Sequence, residues 1–195
     1  MNSRTKFPIL FLLLIALWTS SKAQESTRFS IETDPTTFIF KGYSAHIRIQ
    51  PAGSDKFLVG AGTYGMKMPN VMVDLNKENR DESWNVRIRS AYSVFGEFYF
   101  REANEKWFIG EQLGVQNFKV TNDMEGAEGD ANFNNFLAMT YIGYSWHPFK
   151  GLFYVKPWAG LGYTTKIDGE TRVGNMQYDI APLFPFITFH LGYTF

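Results

Sequence analysis

The sequence predicts an all-β protein, an eight-stranded antiparallel transmembrane β-barrel of up-and-down topology behind a cleavable leader. Three observations carry that prediction. In the closing segment, Pro185, Ile187, Phe189, Leu191, Tyr193 and Phe195 fall on one side of an extended strand. Thr188, His190, Gly192 and Thr194 fall on the other, with Phe186 a bulky exception. A period of two marks a strand with one apolar and one polar face. Aromatic residues make up 17% of the chain although its mean hydropathy is −0.21, the balance expected when lumen residues dilute lipid-facing ones. Short turns also alternate with longer polar loops, the rhythm of a membrane barrel with turns on one side and loops on the other.

The leader comes first. Arg4 and Lys6 form a basic start, Phe7 to Trp18 is apolar, and Ser21, Lys22 and Ala23 surround a cleavage point. The run falls short of the ~20 residues that span a bilayer as a helix, and its flanks are those of a secretory signal. The expected division is a signal peptide over residues 1–23 and one barrel domain over 24–195. Losing Arg4, Lys6 and Lys22 turns a formal charge of zero into a slightly acidic mature chain. Such a chain lacks the clustered basic face that nucleic-acid binding needs. With no cysteine, disulfides, thiolate metal sites, cysteine nucleophiles and lipoprotein processing are excluded together. No second long apolar run follows the leader, so strands rather than helices must cross the membrane.

Eight extended segments follow. The first is Arg28 to Glu32, ending at the turn-forming Asp34 and Pro35. The second, Phe38 to Gln50, alternates Tyr43, Ala45, Ile47 and Ile49 with Ser44, His46, Arg48 and Gln50. A turn at 51–55 leads to the third, Phe57 to Met66, and a polar loop covers 69–83. In the fourth, Trp84 to Phe100, the alternation puts Trp84, Val86, Ile88, Tyr92, Val94, Phe98 and Phe100 toward lipid. Asn85, Arg87, Arg89, Ser93, Glu97 and Arg101 then point inward. The fifth is Trp107 to Val120, followed by an acidic loop from Thr121 to Ala131, and the sixth is Phe133 to His147. A turn at 148–151 leads to the seventh, in which Tyr154, Lys156, Trp158 and Thr164 oppose Phe153, Val155, Ala159, Leu161 and Tyr163. A loop from Lys166 to Gln177 precedes the last strand. Gly60, Gly62, Gly114, Gly160 and Gly162 sit mid-strand, where glycine marks crowding or close approach. Trp84, Tyr92, Phe98, Tyr99, Phe100, Trp107, Tyr141, Tyr144, Trp146, Phe149, Phe153 and Tyr193 cluster toward strand ends as interfacial girdles would.

The polar network expected in the lumen is His46, Arg48, Arg87, Arg89, Glu97, Lys156 and His190. An eight-stranded barrel is just wide enough for side chains to fill it, and buried charges need partners, so these residues are read as a plug. A polar binding cavity is the sharper alternative. Ser44 and His46 share a face and could place a hydroxyl beside an imidazole, but no third orienting carboxylate can be assigned. Asn122 to Asp130 holds four acids and no base without the spacing of a calcium loop. No catalytic residue, cofactor or metal is expected.

The leader, the mid-strand glycines, the strand Tyr154 to Trp158 and the terminal Leu191 to Phe195 resemble small eight-stranded outer-membrane barrels of the OmpA, OmpX and OmpW type. That resemblance implies location in the cell outer membrane, contact with lipid and lipopolysaccharide, and a monomer. It also implies that Leu191, Tyr193 and Phe195 are the signature read by the barrel-assembly machinery. The function it implies is structural or surface interaction. Binding or transport of a small apolar molecule, and lipid A modification, are the alternatives. A soluble barrel of lipocalin shape is the rival fold and would invert every facing.

Overall fold

In the computed structural model, which describes residues 26–195, the alternating segments become strands that close on one another. The expected leader over 1–23 lies outside the described residues. In chain order the elements are β1 (Arg28–Thr33), α1 (Pro35–Ile39), β2 (Tyr43–Gln50), β3 (Phe57–Lys67), α2 (Asn70–Val73), a 3-10 turn (Lys77–Asn79), β4 (Trp84–Tyr99) and β5 (Lys106–Asn122). There follow β6 (Ala131–Ser145), β7 (Phe153–Gly169), the two-residue strands β8 (Arg172–Val173) and β9 (Met176–Gln177), and β10 (Leu183–Thr194). Eight strands form a closed antiparallel barrel in the order β1-β10-β7-β6-β5-β4-β3-β2, while β8 and β9 make a hairpin of their own. The ring is closed by Ser30 to Thr33 of β1 lying opposite Thr194 to Leu191 of β10. Beyond it, the Phe195 N–H donates to the Phe29 carbonyl at 2.7 Å.

The connections sort the barrel into two ends. Segments 51–56, 100–105 and 146–152 are short turns that share one end with the start of β1 and with Phe195. The other end carries α1 and the loops 68–83, 123–130 and 170–182, which hold α2, the 3-10 turn and the β8–β9 hairpin. Apolar packing inside the ring is also divided. Toward the loop end Met66, Trp84, Val86, Ile88, Phe118, Val120, Phe133 and Tyr178 are buried together; toward the turn end Leu58, Tyr99, Phe108, Leu137, Met139, Tyr141 and Trp158 are.

Of the places that depart from simple alternation, which include an extra residue at Ile167 of β7, two position the site. The expected second strand begins only at Tyr43, because the chain leaves β1 into α1. Asp34 caps that helix by accepting the Thr36 N–H at 2.8 Å, and Pro35 pre-sets the first helical φ. Asp34 also accepts the Thr188 hydroxyl at 2.8 and 2.9 Å, which ties α1 to β10. As a result β1 pairs only with the last residues of β10. Alongside the remainder, α1 presents Phe38 and Ile39 outward.

The second departure is a β-bulge in β4. Ile88 pairs with Phe118 and Ser90 with Asn117, so Arg89 is one residue too many for its partner strand. A bulge of this kind moves every later side chain to the opposite face. Trp84, Val86 and Ile88 are buried inside the ring before it, and Ala91, Ser93, Phe95, Glu97 and Tyr99 after it. The expectation that Arg87 and Arg89 face the lumen is therefore reversed. Both are exposed on the outer wall, where Arg87 donates to the Lys41 carbonyl and Arg89 to Asn132 Oδ1. Arg101 is exposed in a turn, and Trp84, Tyr99 and Tyr141 belong to the interior rather than to an interfacial girdle.

Candidate functional site: a charge-paired lumen

Alternation within each strand sets the site. On β1, Phe29 and Ile31 point out while Ser30 and Glu32 point in; on β2, Ala45 and Ile47 point out while His46 and Arg48 point in. The bulge brings Glu97 inward on β4, and β7 and β10 contribute Lys156 and His190. All six inward polar residues from Glu32 to His190 named here are buried.

They meet as a closed network of two acids and two bases. Lys156 Nζ donates to Glu32 Oε1 at 2.6 Å and to Glu97 Oε2 at 3.0 Å. Arg48 bridges the same two acids. Its Nε donates to Glu32 Oε2 at 3.0 Å, and its Nη1 lies 2.8 Å from Glu97 Oε1 at an angle that makes an ion pair rather than a hydrogen bond. The remaining acceptor positions are taken by phenols. Tyr154 donates to Glu32 at 2.7 Å, and Tyr99 and Tyr141 donate to Glu97 at 2.9 and 3.1 Å. His190 Nδ1 sits 2.9 Å from Glu32 Oε2, with its ring stacked on His46 at 4.8 Å between centroids. The Arg48 guanidinium lies 3.6 Å from the centre of the Phe95 ring, so its flat face is covered while its edge is bonded. Formal charge sums to zero over Glu32, Glu97, Arg48 and Lys156, and such pairing is what allows charges to leave water. Gly192 supplies the space for one of these phenols, since a Cβ there would overlap the Tyr154 ring.

Toward the loop end the lumen opens into a cavity of about 110 Å³. His46, Arg48 and His190 border it on one side, and Met66, Met68, Met72, Leu75 and Ile180 on another. Among the described residues, His46 Nδ1 and Asn135 Oδ1 on its wall find no hydrogen-bond partner.

The structure thus brings His46, Arg48, Glu97, Lys156 and His190 together and leaves Arg87 and Arg89 outside. Glu32, which like Glu97 gathers four partners, is absent from the sequence-predicted set, although Phe29 to Glu32 already alternates in the right sense. Leu191, Tyr193 and Phe195 lie on the outer wall at the turn end, with the rings of Tyr193 and Phe195 5.1 Å apart. Ser44 does not meet His46. Its hydroxyl accepts the Asp34 N–H at 2.7 Å and donates to the Asp34 carbonyl at 3.2 Å, completing the α1 cap. In the acidic loop, Asp130 is held by Asn132 and by Lys119 3.3 Å away, which keep its carboxyl below the usual range. Among the described residues no three His, Asp or Glu side chains converge in a metal-holding group.

The chain matches no protein-family model and no curated protein. Among solved structures it is similar to the N-terminal β-barrel domain of Pseudomonas aeruginosa OprF, at 12% identity and a TM-score of 0.43 over 89% of this chain and 100% of that one. It is also similar to Neisserial surface protein A, at 9% identity and a TM-score of 0.35 over 89% of this chain and 98% of that one. The class is defined by the ring itself: a closed, eight-stranded antiparallel up-and-down barrel.

Proposed function

We propose that this chain is an integral outer-membrane barrel protein, exported by the signal in residues 1–23, whose side-chain-filled lumen serves a structural or surface-interaction role. The observation that carries the reading is an inversion of ordinary burial. Glu32, Arg48, Glu97 and Lys156 lie inside the ring, while Phe29, Ile31, Ile47, Val94, Leu113, Leu161 and Ile187 are exposed on its outer wall. A soluble protein places its charges outside and its large aliphatics inside; a barrel solvated by lipid does the reverse. Lipid and lipopolysaccharide are then its surroundings, the turn end faces the periplasm, and Leu191, Tyr193 and Phe195 are the signature offered to the assembly machinery. A lumen filled with paired charges and rings is a closed one on this reading, so protein reconstituted in a planar lipid bilayer is expected to show no discrete conductance steps. Regular steps of a constant size would contradict a closed lumen.

The cavity favours a second reading, the binding of a small molecule. At about 110 Å³ it is somewhat smaller than the roughly 150 Å³ that accommodates benzene. The free polar atoms of His46 and Asn135 suit a compact, uncharged ligand with one polar group. Native mass spectrometry of protein extracted from its own membrane should retain that added mass. The bare chain mass alone would set this reading aside.

A further inference from the structure

A row of cations crosses the outer wall near the loop end. Lys67 of β3 lies opposite Arg87 of β4, and Arg87 lies opposite Lys119 of β5. All three point outward, since Met66, Val86, Ile88, Phe118 and Val120 beside them are buried inside the ring. Neighbouring strands run about 5 Å apart, so three positive charges stand side by side, and like charges directly opposite repel. The bulge adds Arg89, because it lets one strand hold two arginines outside and Glu97 inside. Asp130 lies 3.3 Å from Lys119. Among the described residues, no carboxylate lies within ion-pair distance of Lys67, Arg87 or Arg89. Arg87 donates to the Lys41 carbonyl and Arg89 to Asn132 Oδ1, which leaves most of the five donors of each guanidinium available.

The row stands at the edge of the apolar belt. Twelve residues separate Lys119 from the girdle residue Trp107 on β5. At 3.3 Å per residue and a tilt near 40° they climb about 30 Å. A belt about 25 Å tall that starts at Trp107 therefore ends just below the row. The exposed apolar side chains next beneath are Tyr92 and Val94 on β4 and Leu113 and Val115 on β5. Between the two levels, Asn117 Nδ2 donates to Asn134 Oδ1 at 2.9 Å. From these placements we infer that this sector of the wall binds one lipopolysaccharide molecule. Lys67, Arg87 and Lys119 hold one of its phosphates, and its acyl chains lie along Tyr92, Val94, Leu113 and Val115. Charge complementarity selects the occupant. A phosphate monoester carries close to two negative charges, offsets the mutual repulsion of the row, and matches the guanidinium fork of Arg87. The place of the row at the belt edge favours a phosphate carried on an amphiphile over one free in water. The amides of Asn117, Asn132 and Asn134 beside it suit the hydroxyls of a sugar headgroup. This site rests on the membrane reading proposed above and deepens it, assigning one headgroup to one sector instead of lipid all round the ring.

Protein refolded into dodecyl maltoside, free of native lipid, tests the site by titration with fluorescently labelled lipopolysaccharide. The wild type is expected to bind it, and the double variant Lys67→Gln, Arg87→Gln to bind it about tenfold more weakly. The control Lys56→Gln, Arg101→Gln removes two charges at the turn end and is expected to match the wild type. Heat-dependent gel mobility of each variant establishes that the barrel has folded. Lipopolysaccharide stripped of its phosphates, and phosphatidylglycerol, should each bind the wild type no better than the intact ligand binds the double variant. Inorganic phosphate in large molar excess should not displace the bound ligand. Equal affinity of the folded wild type and double variant would overturn the site while leaving the membrane barrel standing. Undiminished binding of the stripped ligand or of phosphatidylglycerol would overturn the phosphorylated glycolipid as occupant, and displacement by inorganic phosphate would overturn the lipid source. Wild-type protein that is soluble and monodisperse without detergent would instead overturn the membrane reading itself.

Discussion

Lys156 is the residue on which the interior turns. It is buried between Glu32 and Glu97, with the rings of Tyr99, Phe108 and Tyr154 within 6 Å of its ammonium group. Replacing it with methionine keeps the volume and leaves Arg48 alone against two carboxylates. Breaking a buried pair by removing one partner costs about 3–5 kcal/mol, so Lys156→Met should unfold at clearly lower urea concentration in lipid vesicles. Adding Glu97→Gln restores neutrality and should recover part of that loss; a double variant no better than the single one would contradict charge balance as the cause. The sequence made much of this residue-level picture legible. The inward positions of His46, Arg48, Lys156 and His190 follow from alternation alone. Their partners do not, because Arg48 reaches Glu97 across β3 and His190 reaches Glu32 only once β1 has closed on β10. Glu32 is hard to place from pattern because its strand is six residues long and followed at once by Asp34 and Pro35.

At the scale of elements, the bulge in β4 explains why the predicted lumen was unbalanced. A straight strand puts Arg87, Arg89 and Arg101 inside with Arg48 and Lys156, facing Glu97 as the one carboxylate named. One extra residue at Arg89 sends the first two arginines outside, and the turn exposes the third. Period-two reasoning cannot detect such a slip, since each half of β4 alternates correctly by itself. The opposed faces can be measured directly. Cysteines at positions 87 and 89 should react in whole cells with a membrane-impermeant maleimide, given their place at the loop end. Cysteines replacing Val86 and Ile88 should stay unlabelled until the protein is denatured. The reverse pattern would restore the straight strand and remove the bulge. The start of β2 escapes the sequence pattern for a related reason: Asp34 and Pro35 signal a turn, but here they begin a helix whose cap is completed by Ser44 and Thr188, residues from two other strands.

At the scale of the whole molecule, the strand order, the sorting of turns and loops to opposite ends, and the apolar outer wall all derive from the same two-residue period. What the period leaves open is occupancy: the cavity toward the loop end is walled by α2 and the segment before β10, whose placement depends on packing rather than on pattern. The buried network and the outer belt require each other. Charges of that number are tolerable inside a narrow ring only when paired, and an outer wall of that composition is tolerable only in lipid. Refolding from urea into phospholipid vesicles, followed by protease treatment, tests this arrangement most directly. A vesicle-bound species is expected whose gel mobility changes on boiling, with cleavage confined to loops 68–83, 123–130 and 170–182 and the strands protected. A species that stays in the aqueous phase, monodisperse without detergent and cut within β4 to β7, would contradict it.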